Sequence, residues 1–147
     1  MACVNDEPVV NNEFETVQEE QTLTGNILVG DSDKDGNLSA VPGSVQGPSN
    51  GTFTINTNGD YTYLPAQDFN GEDTVVISVC DDGTPLPANC INDTIFITVT
   101  PINDAPVANN DRDTTDEDVN ITFNVVANDT DIDGTVNPST VDLNTTE

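Results

Sequence analysis

Apolar and polar residues alternate in short runs along the first hundred positions. Phe53 and Ile55 share a parity in Thr52-Phe-Thr-Ile-Asn56, as do Tyr61 and Tyr63 in Asp60-Tyr-Thr-Tyr-Leu64. The runs Asp73-Thr-Val-Val-Ile-Ser-Val79 and Thr94-Ile-Phe-Ile-Thr-Val-Thr100 are rich in branched and aromatic residues, which fit a pleated, half-buried surface. Gly, Pro, Asn and Asp punctuate the gaps between them. This pattern predicts strands over 13–17, 22–29, 39–45, 51–56, 60–64, 73–80 and 92–100, with no helical periodicity of useful length. Seven short strands in so few residues predict an all-β fold, a sandwich of two sheets with an Ig-like layout. The aligned tyrosines and Phe53 read as its core, because the chain has few other large apolar residues. Exposed instead, the same tyrosines would form a sugar-binding platform.

The chain also repeats itself. Val4-Asn-Asp-Glu-Pro-Val-Val-Asn-Asn-Glu13 returns as Ile102-Asn-Asp-Ala-Pro-Val-Ala-Asn-Asn-Asp111, an offset of 102 − 4 = 98 residues. The register holds without gaps as far as Asp31-Ser-Asp-Lys-Asp-Gly36 against Asp129-Thr-Asp-Ile-Asp-Gly134. Residues 4–101 are therefore expected to form one complete repeat and 102–147 the N-terminal part of the next. Val107–Ala108 and 120–126 restart the strand signals, but this part lacks the later strands needed to close a sandwich of its own. Tandem units of this size act as extended arrays in which each unit meets only its neighbours.

Charge narrows the setting. Twenty-seven acidic residues face two basic ones, Lys34 and Arg112, with no His, for a formal charge of −25. Such a chain repels nucleic acid and anionic membrane surfaces, and its compaction is opposed unless cations bind. Low hydrophobicity with high charge is also the composition of disordered segments, but those do not carry β-rich runs at regular spacing. No stretch is long enough to span a bilayer, and residues 1–20 lack the basic start and apolar run of a signal peptide. The sequence reads as an internal piece of a longer protein.

Cys80 ends one predicted strand and Cys90 stands just before the next, so a cross-hairpin disulfide is expected, worth roughly 2–3 kcal/mol on loop entropy. It implies an oxidising compartment. Cys3 stands where the next unit has Pro101 and is left without a partner.

Candidate chemistry lies in the carboxylates. Asp31, Asp33 and Asp35 before Gly36, and Asp129, Asp131 and Asp133 before Gly134, place oxygens at alternate positions of a tight loop. A hard cation such as Ca²⁺ is held this way. Position 12 of an EF-hand loop would fall on Pro42 or Thr140, so that motif is excluded, and further ligands must come from Asn37, carbonyls, water or distant acids. The competing reading is a pair of solvated acidic turns. A second candidate is the junction: Asn103 and Asp104 between Pro101 and Pro106, with Glu19, Asp82 and Glu117 as additional ligands. An ion there would fix the angle between repeats; alternatively Asp104 caps the proline turn. Catalysis is not expected, since the chain has no His and its acidic pairs fall in turns.

Several of these runs together resemble a known family. Asn103-Asp-Ala-Pro-Val-Ala108, Thr115-Asp-Glu-Asp118, Ala127-Asn-Asp-Thr-Asp-Ile-Asp-Gly134, Asn58-Gly-Asp-Tyr-Thr-Tyr-Leu-Pro65, Phe69-Asn-Gly-Glu-Asp73 and Val79-Cys-Asp-Asp-Gly83 are similar to the Ig-like, cadherin-like tandem repeats of giant bacterial surface adhesins. Cys80 and Cys90 look like the versions in secreted proteins of gliding Bacteroidetes. The resemblance implies a Ca²⁺-stiffened stalk or adhesive module at the cell surface. Its implied partners are neighbouring repeats and a surface polysaccharide or protein ligand. The linker departs from the cadherin Asp-x-Asn-Asp-Asn pattern, with Pro101 in place of the first Asp. Lys34, the sole lysine, sits in an acidic loop and does not suit a Lys–Asn isopeptide bond. The alternative function is a carbohydrate-binding accessory module of a secreted polysaccharide-degrading enzyme.

Overall fold

The computed structural model describes residues 4–43, 45–83 and 86–141. It divides into two compact units, Met1–Ile102 and Asn103–Glu147.

In the first unit the chain forms β1 (Glu13–Gln18), β2 (Leu23–Asn26), β3 (Leu38–Ala40), β4 (Gly51–Ile55), β5 (Asp60–Pro65), β6 (Gly71–Asp81) and β7 (Cys90–Thr100). They make one four-stranded sheet in the order β1-β7-β6-β3 and one three-stranded sheet in the order β2-β5-β4. The unit is the expected seven-stranded Ig-like sandwich. All pairings are antiparallel except β1 with β7, which run parallel with Glu13 opposite Ile95 and Gln18 opposite Thr100.

Period-two alternation decides what is inside. Val75 and Ile77 of β6 and Ile95, Ile97 and Val99 of β7 point inward into one cluster with Tyr61 and Tyr63 of β5 from the other sheet, and Val79 of β6 is buried as well. Phe53 stacks on Tyr61 with ring centroids 5.5 Å apart. The tyrosines are 3% and 0% exposed, so they build the core and offer no stacking face to a sugar. On the outer face, Phe14 of β1 stacks on Phe96 of β7 at 5.1 Å.

Two strands are shorter than the pattern predicts. β2 ends at Asn26 because that side chain bends the backbone, accepting from the Leu28 N–H at 2.9 Å and donating to the Asn58 carbonyl at 2.9 Å. β3 covers only Leu38–Ala40, although Val41 and Val45 still donate N–H groups to Ser78 and Val76 of β6. Conversely, β6 and β7 extend to eleven residues each, because their hairpin pairs all the way to Cys80 opposite Cys90. A disulfide joins those two cysteines. Cys3 lies outside the described residues.

Among the described residues of the second unit no strand forms. A single bridge joins Val107 to Thr130, and Pro138–Thr140 make a 3-10 turn capped by Asn137. The strand predicted over 120–126 is not formed, and the segment runs without ladder pairing into a turn. Ile121 and Phe123 are left 42% and 47% exposed.

Candidate metal centre

The acidic loop after β2 is tied to the segment that enters the unit. Asp31 Oδ1 accepts from the Asn11 N–H at 2.9 Å, and Asn11 Nδ2 donates to the Gly30 carbonyl at 2.7 Å. Asp35 receives the Asp6 N–H at 3.4 Å, and Val9 bridges to Ser32. The second unit repeats these contacts at the same offset. Asn109 donates its N–H to Asp129 at 2.7 Å and its amide to the Asn128 carbonyl at 2.8 Å, Asp104 donates to Asp133 at 3.1 Å, and Val107 bridges to Thr130. The recurrence is thus structural as well as sequential.

Within the loop the three aspartates take different directions. Asp33 Oδ1 accepts the Asp35 N–H at 2.9 Å, a tight Asx turn, while its buried Oδ2 has no donor. Asp131 Oδ1 of the second unit is equally without one. A Cβ on Gly36 would lie 3.2 Å from Asp33 Oδ1 and 2.7 Å from Asp82 Oδ1, so the glycine leaves a small polar recess between two carboxylates. Asn37 borders it, donating Nδ2 to Asp82 Oδ2 at 2.9 Å. An orphaned carboxylate oxygen beside a recess walled by acids fits a hard cation. Lys34 reaches Asp6 at 2.6 Å, with side chains 81% and 47% exposed; so open a pair contributes little.

Asp31 faces another way. It is grouped with Glu13, at the start of β1, and Asp93, near the start of β7, and one carboxylate oxygen from each of the three lies within 4.8 Å of the others. Burial pushes the Glu13 carboxyl up to about 8, with the charges of Asp93 and Asp31 adding to it. Burial pushes Asp93 up to about 6 against the lowering effect of the Thr94 N–H, and raises Asp31 against that of Asn11. Three carboxylates gathered away from water resist ionising together.

Sequence reasoning missed Glu13 and Asp93. The signal was present as parity: Asp93 is in phase with Ile95, Ile97 and Val99, and Glu13 with Glu15 and Val17, so each is an acid on the inward face of a strand. Of the junction candidates, Glu19 is 2% exposed and its carboxylate accepts the Ile102 N–H, which ties down the end of β7. Asp82 lies on the loop recess described above. Asn103, Asp104 and Glu117 belong to the second unit; Asn103 donates its amide to the Asp104 carbonyl at 2.7 Å, and Glu117 is exposed.

No curated protein matches the chain. Similar solved structures include a nucleoside hydrolase-related protein from Saccharophagus degradans associated with carbohydrate metabolism, at 17% identity and a TM-score of 0.49 over 65% of this chain. An endo-fucoidan hydrolase of glycoside hydrolase family 107 aligns over 65% at 16% identity, TM-score 0.42. The EC1-2 segment of human mucin-like protocadherin aligns over 67% at 16% identity, TM-score 0.45. The chain spans 26%, 14% and 56% of their respective lengths. Residues 5–91 match the family model described as the bacterial Ig domain. That match takes in the entering segment, the acidic loop and the strands as far as the start of β7, and on it the chain belongs to the bacterial Ig domain family.

Proposed function

We propose that this chain is an extracellular repeat module of a large bacterial cell-surface adhesin, a Ca²⁺-stiffened stalk segment that works without catalysis. The observation that carries the reading is the recurring tie between each unit's acidic loop and the segment entering it, made through Asp31 and Asp35 in one unit and Asp129 and Asp133 in the other. In the first unit Asp33, Asp35 and Asp82 would hold the ion, with Asn37 at the edge of the recess. The ion supplies positive charge where the chain has almost none, so the loop and the entering segment are held together instead of repelling. Neighbouring repeats are the expected partners, with a surface polysaccharide or protein as the ligand of the whole assembly. The disulfide between Cys80 and Cys90 supports an oxidising location. No helix among the described residues is long and apolar enough to cross a membrane.

The test is thermal unfolding in EDTA and then in millimolar Ca²⁺ at constant ionic strength, with limited proteolysis of the 101–106 linker in parallel. The expected result is a Ca²⁺-specific rise in Tm and slower linker cleavage, both diminished in Asp33→Ala with Asp35→Ala. Equal melting and equal cleavage in the two buffers would overturn the stalk reading.

A further inference from the structure

Four acidic side chains of the first unit are buried, and three of them are provided for. Asp73 of β6 accepts N–H groups from Ser49, Asn50 and Thr74 at 2.8–2.9 Å and lies 3.0 Å from the Tyr63 hydroxyl. Asp81, at the other end of β6, accepts from the Asn5 amide and from the Gly83 and Asn89 N–H groups. Glu19 accepts from Ile102. Asp93 is different. It is 0% exposed, its Oδ1 takes the N–H of its own neighbour Thr94, and its Oδ2 takes no N–H or hydroxyl; the carboxyl of Asp31 beside it can hydrogen-bond to it only by sharing a proton.

What surrounds that orphaned oxygen is more of the same charge. Glu13 Oε2 and Asp31 Oδ2 are also buried without a donor, and the charged neighbours that act on Glu13 are Asp93, Asp31 and Glu15, all acids. Lys34, one of only two basic residues in the chain, is engaged with Asp6. Buried charge of this kind is maintained only when it is paired or coordinates a metal. The spacing fits: Ca²⁺ holds oxygens at about 2.3–2.6 Å, so ligands on opposite sides of one ion stand about 4.6–5.2 Å apart. The three oxygens fall within 4.8 Å of one another. Mg²⁺ demands a smaller and stricter octahedron. The repeat carries the same chemistry forward, with Asp111 at the position of Glu13 and Asp129 at that of Asp31.

We propose that Glu13, Asp31 and Asp93 form a second, separate site for a divalent cation of the Ca²⁺ class, set between the entering strand β1 and the last strand β7. It goes beyond the loop site, since Asp33, Asp35 and Asp82 have no part in it, and it stands whether or not the loops bind an ion. Its ion would link three elements distant in sequence, the start of β1, the loop after β2 and the start of β7.

Tyrosine-sensitised Tb³⁺ luminescence tests it, with Tb³⁺ standing in for Ca²⁺. The chain has two tyrosines and no tryptophan, and Tyr61 is close enough for the Glu13 charge to act on its hydroxyl. The full chain is stripped with chelator and titrated with Tb³⁺, then with competing Ca²⁺, beside Glu13→Gln, Asp93→Asn and the double variant Asp33→Asn with Asp35→Asn. The loop variant is expected to keep a Ca²⁺-displaceable sensitised signal, and each of the other two to weaken it about tenfold or more, since ligand charge sets affinity. At pH 8, where Glu13 and Asp93 ionise, both single variants should melt in chelator at or above the wild-type temperature, because each removes a repelling charge. The proposal is overturned if Glu13→Gln and Asp93→Asn titrate like wild type, or if either unfolds in chelator. A signal lost only in the loop variant would refute this site and leave the stalk reading standing; a wild-type chain silent to both ions would refute the two together.

Discussion

Asp73 and Asp93 are aspartates at inward positions of adjacent long strands, and their surroundings set opposite requirements. Asp73 is an anchor whose charge is used by three N–H groups and a tyrosine hydroxyl. Asp73→Asn would turn a donor toward those donors and is expected to cost about 2–3 kcal/mol, lowering Tm by about 10 °C or more. For the metal-free protein the Glu13 cluster predicts an unusual pH dependence. Glu13 rises from 4.5 to about 8 on folding and Asp93 from 3.8 to about 6, so across that interval the folded state binds more protons than the unfolded one. Stability conferred by the protonated forms is complete below pH 4 and is lost as pH climbs through 6 to 8. Melting in EDTA should therefore occur at lower temperature at pH 8 than at pH 5.5, and Glu13→Gln should flatten the difference. The sequence announced the aspartates of the loops because turn motifs are local. It concealed the cluster because Glu13, Asp31 and Asp93 meet only through strand pairing, and a lone acid within an apolar run looks like an interruption of the pattern.

At the scale of elements, alternation located all seven strands, since parity records which face is buried. Their ends were less legible, because they depend on partners: Asn26 closes β2 through a hydrogen bond to a residue on another hairpin, and β6 and β7 lengthen because each supplies the other's ladder. Two substitutions probe this level. At Gly25 of β2, paired opposite Tyr61 of β5, a Cβ would lie 2.6 Å from Tyr61 Cζ; Gly25→Ala should destabilise by about 1–3 kcal/mol through overpacking, seen as a shifted denaturant midpoint. Replacing Cys80 and Cys90 together by Ala opens an eleven-residue hairpin and should cost about 2–3 kcal/mol. Faster amide exchange is then expected at the cysteine end of β6 and β7, with the Tyr63 end protected as before.

Across the whole molecule the dominant fact is a formal charge of −25, which every specific cation relieves. Added NaCl should raise Tm gradually by screening, whereas Ca²⁺ at a hundred times its dissociation constant should add about 2.7 kcal/mol per site at unchanged ionic strength. A Ca²⁺ increment exceeding that of one site would distinguish two kinds of centre from one. The 98-residue offset is the ground for expecting a tandem organisation, but a repeat does not reveal which of its strands are side by side. The pairing of β1 with β7 settles that for the first unit. The chain enters along one and leaves along the other, and they run parallel over six paired residues. A pull applied to the two ends of this unit is consequently met in shear, with the whole ladder loaded at once, rather than by opening one hydrogen bond after another. Mechanical strength is then concentrated in that single seam, and anything that fastens β1 to β7 sets the force at which the unit gives way.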